Sequence, residues 1–309
     1  MSPSPANLPS PGINPIHLWA GMRTELIWIY EGRVHPGNLS RRSDNIHGYR
    51  AWFILEGSVE VKRDRLVLRA GAGECIVPPR GCIHQGFSSD ARILSLYFTC
   101  NWPTGEGLFN EDHGLVLKST DFPGLEGKAR ELWSLVKAFS IGPTDVHFTE
   151  HPVSYTRFLH LQRLFIEWLE VFADTVVALG YTYVQVDPVD KRLLRAINCL
   201  KQETLSSTFP MGLIQRESGL GRSQLDRLFF HTFGMTTRSY WNRRKLESAK
   251  ALLATTATPI KEIGFRTGFK QASHFTKWFH THTGLNPLAY REREGVHFPA
   301  EAPAPAAAE

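Results

Sequence analysis

A glycine-centred pattern occurs twice in the last third of the chain, and it limits the possible folds more than any other feature of the sequence. The second copy follows the first by about 50 residues, and self-similarity at such a period is typical of a duplicated structural unit. The spacing from phenylalanine to glycine to tyrosine is the same in both copies. The repeated residues are Gly219, Phe229, Gly234 and Tyr240 in the first copy and Gly268, Phe279, Gly284 and Tyr290 in the second.

Each copy predicts two helices separated by a tight glycine turn. In the first copy we expect helices over residues 211–217 and 221–230. In the second, Gly268 ends a short helix, and Phe275 and Phe279 repeat at helical spacing after it. This is the helix-turn-helix layout, which places its second helix in a DNA major groove. One such unit also occurs in ordinary helical bundles, whereas two in one chain are much rarer.

A long helix is predicted between the two units, over residues 237–253. Its length of about 17 residues corresponds to roughly 25 Å. Successive major grooves on one side of B-DNA lie about 34 Å apart. A stiff helix of this length can therefore hold two recognition helices in adjacent grooves.

Both predicted recognition helices carry side chains suited to reading base pairs. Arginine and lysine bond to guanine edges, glutamine suits adenine, and threonine and alanine contact the thymine methyl group. The predicted DNA-binding residues are Arg222, Ser223, Asp226 and Arg227 in the first unit and Gln271, Ala272, Ser273, His274, Thr276 and Lys277 in the second. Six further basic residues suit phosphates or solvent, namely Arg238, Arg243, Arg244, Lys250, Lys261 and Lys270. For any one of these charges, a solvated helix face is the commoner explanation.

Charge is unevenly distributed along the chain. Residues 188–295 contain 18 lysines and arginines against 8 aspartates and glutamates, a net charge of +10, whereas the remainder carries −5. A basic C-terminal third attached to an acidic remainder is typical of a domain that meets a polyanion.

The N-terminal region predicts many short strands. From about residue 18 to residue 100, apolar and polar residues alternate between turn-forming residues, which is typical of a β-sandwich or a small barrel. Part of this region resembles a cupin barrel, since Gly73, Pro79, Gly81 and His84 match the spacing of the second cupin motif. The two histidines and the glutamate of the first motif are missing. A metal site needs three or four converging ligands, so we expect neither a metal nor another cofactor.

A small barrel can hold one small ligand in its interior. Aromatic rings that stack and polar groups that hydrogen-bond would suit a polar small molecule. The candidate effector-binding residues are Trp28, Tyr30, Arg50, Trp52, His84 and Tyr97. The alternative, that each aromatic ring simply fills the core, stays open.

A helical section is predicted after the strands, over residues 127–139 and 153–179. The second helix carries an apolar stripe at Leu161, Phe165, Trp168, Phe172, Val176 and Leu179. Offsets of three and four place these side chains on one helix face. Such a stripe packs on its own domain or pairs with its copy in a second subunit.

The last third of the chain resembles the DNA-binding domain of the AraC/XylS family of bacterial transcription regulators. The matching residues are Gly219, Leu225, Arg227, Phe229, Gly234, Tyr240, Leu246, Ala249, Leu252, Leu253, Ile260, Ile263, Gly268, Phe269, Ser273, Phe275, Phe279, Gly284, Pro287, Tyr290 and Arg291. The resemblance implies seven helices, two helix-turn-helix units, control of transcription initiation with RNA polymerase as a partner, and an N-terminal domain that binds an effector and forms a homodimer. It favours the dimer interpretation of the apolar stripe. Departures from the family pattern include Gly264 in place of alanine, which costs about 1 kcal/mol of helix propensity.

These observations predict an α+β chain with five parts. They are a disordered lead (1–17), a cupin-like effector-binding and dimerisation domain (18–180), a linker (181–187), an AraC-type DNA-binding domain (188–295) and a disordered tail (296–309). We expect a cytoplasmic protein, because no secretory signal or membrane span is visible and the four cysteines lack metal-site spacing.

The function predicted from the sequence is sequence-specific regulation of transcription. The protein is expected not to be an enzyme, and to act as an activator that responds to a small polar molecule such as a sugar or catabolite. Three alternatives remain open: a metal-dependent cupin enzyme with a DNA-binding tail, a DNA-repair methyltransfer protein, and a constitutive regulator with an empty barrel. The scattered cysteines argue against the methyltransfer protein, which needs a reactive, metal-bound cysteine cluster.

Overall fold

The computed structural model describes residues 16–45, 48–102, 106–109, 113–139, 152–184, 190–256 and 258–295. The chain divides into two compact units between residues 185 and 186. Antiparallel sheets form most of the first unit and helices form the second, which confirms the predicted α+β class. Nearly all of the predicted lead, the predicted tail and the end of the predicted linker lie outside the described residues.

The first unit contains nine strands and four helices within its described part. Their bounds are α1 (Ile16–Trp19), β1 (Arg23–Arg33), α2 (Pro36–Leu39), β2 (Ser40–Asn45), β3 (Tyr49–Glu56), β4 (Ser58–Arg63), β5 (Leu66–Gly71), β6 (Glu74–Val77), β7 (Gly81–Phe87), β8 (Arg92–Asn101), β9 (Leu115–Lys118), α3 (Pro123–Lys137) and α4 (Tyr155–Ala178). The strands form a five-stranded sheet in the order β1-β8-β3-β6-β9 and a four-stranded sheet in the order β2-β7-β4-β5.

Alternation along the strands gives the five-stranded sheet two different buried faces. On β3, Ala51 and Phe53 join the core that this sheet shares with α3 and α4. Trp52 and Ile54 point the other way and pack with residues of the four-stranded sheet, such as Val61. The two sheets therefore enclose an interior between them, as the strand pattern predicted.

A β-bulge corrects the predicted alternation on β1. The sequence places Leu26, Trp28 and Tyr30 on one strand face, but the pairing with β8 shifts register between Leu26 and Trp28. Leu26 consequently packs in the core with the helices. Trp28 faces the interior between the sheets, where its ring lies 4.5 Å from that of Tyr97. An extra residue in one strand moves every later side chain to the opposite face, and the periodicity of the sequence does not reveal it.

The apolar stripe of α4 packs on its own unit. Trp168 is fully buried, donates a hydrogen bond from Nε1 to the carbonyl oxygen of Leu125 (3.1 Å), and contacts the ring of Phe98 at 4.9 Å. Of the predicted stripe, only Leu179 is exposed. The interpretation that favoured this stripe as a dimer contact is therefore wrong for its five buried residues, because the five-stranded sheet already covers them.

The second unit contains seven helices within its described residues. Their bounds are α5 (Lys191–Gln202), α6 (Met211–Ser218), α7 (Arg222–Phe233), α8 (Thr237–Thr255), α9 (Ile260–Arg266), α10 (Ala272–Thr283) and α11 (Pro287–Glu294). Asp190 caps α5 by accepting a hydrogen bond from the backbone N–H of Arg192. The hydrogen bonds from Arg192 lower the pKa of the Asp190 carboxyl to about 2.

The repeated phenylalanine and tyrosine occupy equivalent places in two small cores. In the first, the rings of Phe229 and Tyr240 meet edge to face at 5.4 Å. In the second, Phe279 and Tyr290 meet edge to face at 5.2 Å. All four side chains are buried. The two units therefore share the same core packing as well as the same sequence pattern. Helix α8 contributes residues to both cores.

Candidate functional site

Each helix-turn-helix unit turns at a glycine with a left-handed backbone. Gly219 has φ of +68° at the end of α6, and Gly268 has φ of +86° just after α9. A buried hydroxyl residue precedes each glycine. The hydroxyl groups of these two residues, Ser218 and Thr267, each donate a hydrogen bond to the carbonyl oxygen four residues earlier. Sequence analysis missed this pair, although the two hydroxyl residues stand at equivalent places beside the repeated glycines.

The helices that follow the turns, α7 and α10, present matching faces to solvent. Leu225 and Phe229 are buried in α7, as Phe275 and Phe279 are in α10. Most of the predicted DNA-binding residues are exposed. The exposed ones are Arg222, Ser223 and Arg227 in the first unit and Gln271, Ser273, His274 and Lys277 in the second, while Ala272 and Thr276 are half-buried. Ser223 and Ser273 stand at equivalent places, as do Arg227 and Lys277, so each unit presents an exposed serine and a basic residue one turn after it.

Asp226 differs from this prediction. Its carboxylate accepts hydrogen bonds from the backbone N–H of Thr237 (3.0 Å) and from the Thr237 hydroxyl (2.8 Å). Thr237 is buried at the start of α8. The carboxylate therefore fastens α7 to α8, and the structure gives Asp226 a structural role where the sequence suggested base reading.

The predicted phosphate-binding residues divide into two groups. Arg244 donates to the carbonyl oxygens of Leu200 and Lys201 at the end of α5, so it is a structural cap. Arg243 forms an ion pair with Glu247. The remaining predicted residues keep a side chain that is wholly or partly exposed, and they are Arg238, Lys250, Lys261 and Lys270.

Lys245 lies where the two helix-turn-helix cores meet. Its ammonium lies 5.8 Å from the ring centroids of both Trp241 and Phe269, one from each core. Burial lowers the pKa of Lys245, and the charge of Arg238 lowers it further. A side chain at Gly268 would clash here, because its Cβ would approach the carbonyl oxygen of Leu205 and Nζ of Lys245 to 2.6 Å.

Close packing of two helices explains why a glycine stands at position 264, despite its poor helix propensity. Gly264 is buried in α9, and a Cβ added there would lie 3.2 Å from Cβ of Phe275. The absent methyl group lets α9 approach α10 closely, which offsets part of the conformational cost of glycine.

The interior between the sheets brings together five of the six candidate effector-binding residues. Tyr97 on β8 pairs directly with Trp28 on β1 and with Arg50 on β3, so the three form a row across the sheet. The Arg50 guanidinium lies 5.9 Å from the Trp28 ring centroid and 5.4 Å from that of Tyr97. The adjacent row consists of Tyr30, Ser95 and Trp52.

The first unit also buries polar side chains that sequence analysis missed, namely Ser43, Gln85 and Ser95. Arg50 is only 8% exposed and donates a hydrogen bond to Oγ of Ser43 on β2. Ser95 accepts a hydrogen bond from Nε1 of Trp28 at 3.4 Å, and the buried Gln85 donates to the carbonyl oxygen of Asn38. Burying polar groups is costly unless they form hydrogen bonds, and Ser43, Gln85 and Ser95 each form one within the protein.

Three of the candidate effector residues have different surroundings from those predicted. His84 is exposed on the outer side of β7, between the buried Ile83 and Gln85, so it does not reach the interior. Trp52 packs in the apolar part of the interior, 5.0 Å from the ring of Phe87. The Tyr30 hydroxyl donates a hydrogen bond to the carbonyl oxygen of Arg33 on the same strand. The polar region therefore centres on Trp28, Arg50 and Tyr97.

Neither a metal-ligand cluster nor a membrane-spanning helix is seen in the described part of the chain. Among those residues, no group of three or more histidine, cysteine, aspartate or glutamate side chains could hold a metal ion. Burial raises the pKa of the Cys75 thiol, and it raises that of Cys100 to about 12. Neither thiol is ionised near neutral pH. The described helices include none with the length and hydropathy required to cross a bilayer.

Comparison with known proteins points to the helix-turn-helix region. Residues 214–293 match a family model described as a helix-turn-helix domain. The chain is 29% identical over 104 residues to the arabinose operon regulatory protein of Escherichia coli (strain K12), covering 34% of this chain and 36% of that protein. It is 27% identical over 100 residues to the transcriptional activator NphR of Rhodococcus sp, covering 32% and 30%. The match thus spans about a third of the length of these curated relatives.

Solved structures similar to this chain include ToxT from Vibrio cholerae O395, with a TM-score of 0.46 at 16% identity, covering 89% of this chain and 98% of that one. A transcriptional regulator with an AraC-type DNA-binding domain, from Chromobacterium violaceum, has a TM-score of 0.31 at 26% identity, covering 34% and 92%.

Proposed function

We propose, from the premise that the C-terminal domain of this chain is an AraC-type helix-turn-helix domain, that the protein is a sequence-specific regulator of transcription. It binds double-stranded operator DNA as a homodimer in the cytoplasm and activates initiation through contact with RNA polymerase. A small polar effector, such as a sugar or a related catabolite, binds in the N-terminal interior and controls this activity.

The observation that carries the DNA-binding proposal is the equivalence of the two exposed helix faces. Arg227 on α7 and Lys277 on α10 stand at the same place in their units, each one turn after an exposed serine. Arginine can bond to guanine O6 and N7 in bidentate fashion, whereas lysine makes a single-point contact. The first unit therefore reads its half-site more strictly than the second.

The connecting helix supports binding to two consecutive grooves. Helix α8 has 19 residues, which corresponds to about 28 Å. Successive grooves on one face of the duplex repeat at about 34 Å. One domain can therefore bind two half-sites on the same side of the DNA.

Footprinting with the full-length protein tests this proposal. The protein should select one sequence from random duplexes and protect a stretch longer than a single helical turn. Affinity for this sequence should fall steeply with salt, because lysine and arginine release counterions from the phosphates. Equal binding to selected and random duplexes at physiological ionic strength would contradict the proposed function.

The proposed effector site lies around Arg50 in the first unit. The guanidinium lies beside two aromatic rings, and Ser43 and Ser95 supply hydroxyl groups nearby. Aromatic faces with a few convergent polar groups are typical of small-molecule sites. The effector would change regulation only to the extent that it binds one conformation of the protein more tightly than another. A thermal-shift screen against sugars and aromatic acids identifies it.

We propose that the homodimer forms through an exposed apolar face of α4, which differs from the predicted stripe. Four apolar side chains on this helix are exposed, in contrast to the buried stripe, and they are Tyr155, Phe158, Leu159 and Ile166. Their offsets of three, four and seven place them along one side of the helix. An apolar helix face of this kind is suited to pairing with its copy in a second subunit.

A further inference from the structure

Phe230 on α7 is an unexplained exposed aromatic residue. It is 64% exposed, compared with 54% for Leu288 and 44% for Phe265, the other large exposed apolar side chains described in the second unit. Single exposed apolar residues are common on protein surfaces and need no explanation by themselves. The position of Phe230 on the helix, however, links it to the DNA-reading residues.

Phe230 shares a face of α7 with two of the predicted base-reading residues. Ser223, Arg227 and Phe230 are separated by four and three residues, so they form one row along the helix, opposite the buried Leu225 and Phe229. Homeodomain recognition helices read bases with residues at i, i+3, i+4 and i+7. Here Phe230 occupies the i+7 position relative to Ser223, and Asp226 at i+3 is engaged with Thr237.

We infer that Phe230 determines specificity in the first half-site by contacting the C5-methyl group of a thymine. Phenylalanine has no hydrogen-bonding group, and the thymine methyl is the one apolar feature that a base pair presents in the major groove. Contact between the ring and the methyl group removes both from water. This inference rests on the proposed function, because it requires α7 to lie in the groove.

The spacing along α7 locates the thymine. Phe230 lies three residues beyond Arg227, which is about 4.5 Å along the helix axis. Base pairs stack about 3.4 Å apart. The thymine should therefore lie about one to two base pairs from the position that Arg227 reads.

The second unit lacks this contact. The residue at the place of Phe230 in α10 is His280, which is also exposed but polar. Removal of the thymine methyl group at the base that Phe230 contacts should therefore weaken binding. Removal of a methyl group at the equivalent base of the second unit's half-site should not.

Replacement of thymine by uracil tests the inference directly, since uracil lacks only the methyl group. The full-length protein first selects a site from random duplexes, and each thymine of that site is then replaced in turn. For the wild-type protein, one replacement should weaken binding about fourfold, as expected for loss of one buried methyl-sized group. Phe230→Ala should bind the parent site more weakly and should show no further loss at that uracil. Phe265→Ala, which removes an exposed ring from α9, should match the wild-type protein at every position.

Each other outcome counts against the inference. If the wild-type protein selects a site but is insensitive to every uracil, or if Phe230→Ala keeps the same sensitive thymine, Phe230 does not read a methyl group. If Phe230→Ala binds all duplexes normally but activates purified RNA polymerase poorly, the exposed ring contacts protein instead of DNA. If the wild-type protein selects no sequence, the proposed function itself is wrong.

Discussion

The Asp226 carboxylate accepts two hydrogen bonds from Thr237, one from its backbone N–H and one from its hydroxyl. The second helix-turn-helix unit differs at both of the equivalent places. Thr276 replaces the aspartate, and Pro287, at the start of α11, replaces the threonine. Proline has no backbone N–H, so the second unit has no donor that requires a carboxylate. The pair of differences shows that the acidic group belongs to the helix junction.

Replacing Asp226 by alanine should therefore destabilise the protein. The buried N–H of Thr237 would lose its acceptor, which costs about 1–3 kcal/mol. Thr276→Ala is the matched control and should change the free energy of unfolding by less than about 1 kcal/mol. Urea denaturation of both variants measures the difference. Asp226→Asn keeps an acceptor oxygen for Thr237. If this variant selects a DNA sequence that differs from the wild-type sequence at one base pair, Asp226 reads a base.

Replacing Arg227 by alanine should weaken discrimination at one base position by about 1–3 kcal/mol. The reason is loss of a bidentate contact that only one base pair satisfies. Lys270→Ala is the contrasting variant, because an exposed lysine before α10 is suited to a phosphate. It should weaken binding to all sequences alike and reduce the salt slope by about 1. Titrations of variant duplexes by fluorescence anisotropy distinguish the two patterns, and identical patterns would refute the groove assignment of α7.

Replacing Arg50 by lysine should remove the thermal shift produced by the effector while leaving the protein folded and bound to DNA. Lysine keeps the charge and the aliphatic stem but lacks the planar guanidinium with its fixed fork of donors. The measurement is the melting temperature with and without the effector, together with operator affinity. An unchanged ligand shift would place the site elsewhere.

Trp52→Ala should behave differently from Arg50→Lys. Trp52 packs against Phe87 and the apolar part of the interior, so its truncation should cost about 3–5 kcal/mol of stability. The comparison separates the polar region from the apolar one. Lower melting of the variant in the absence of any effector is the expected result, and normal melting with loss of the ligand response would make Trp52 a binding residue.

Replacing Leu159 by glutamate should weaken dimerisation without unfolding the subunit. Leu159 is exposed on α4, so the fold does not depend on it, whereas a carboxylate buried in a dimer interface would cost about 2 kcal/mol or more. Sedimentation at several protein concentrations measures the change. Glu170→Ala, at an exposed polar position of the same helix, is the control, and equal association of both variants would exclude this face.

The sequence predicted the helices of the second unit well because their signals are local. Gly219 and Gly268 mark the turns, and the aromatic residues that come after them at helical spacing identify the buried faces. The same reasoning could not assign Asp226, since its partner lies eleven residues away on another helix. A side chain that points away from the core is compatible with both a groove and a neighbouring helix.

The interior of the first unit was only partly predictable. Residue type alone suggested Trp28, Arg50 and Tyr97, and strand pairing places them in one row. Ser43 and Ser95 gave no signal, because a serine is equally common in exposed turns, and their burial depends on pairing between strands far apart in the chain. His84 misled for a related reason, since a motif's spacing does not show which side of a strand faces inward.

The close packing at Gly268 has a consequence for the DNA. A Cβ at Gly268 would lie 2.6 Å from the Leu205 carbonyl oxygen of the neighbouring core, and the Lys245 ammonium lies 5.8 Å from an aromatic ring centroid of each core. The two helix-turn-helix units therefore pack directly against each other at Gly268 and Lys245. One base pair inserted between the two target sequences rotates one relative to the other by about a tenth of a turn, so a duplex with this insertion should bind more weakly.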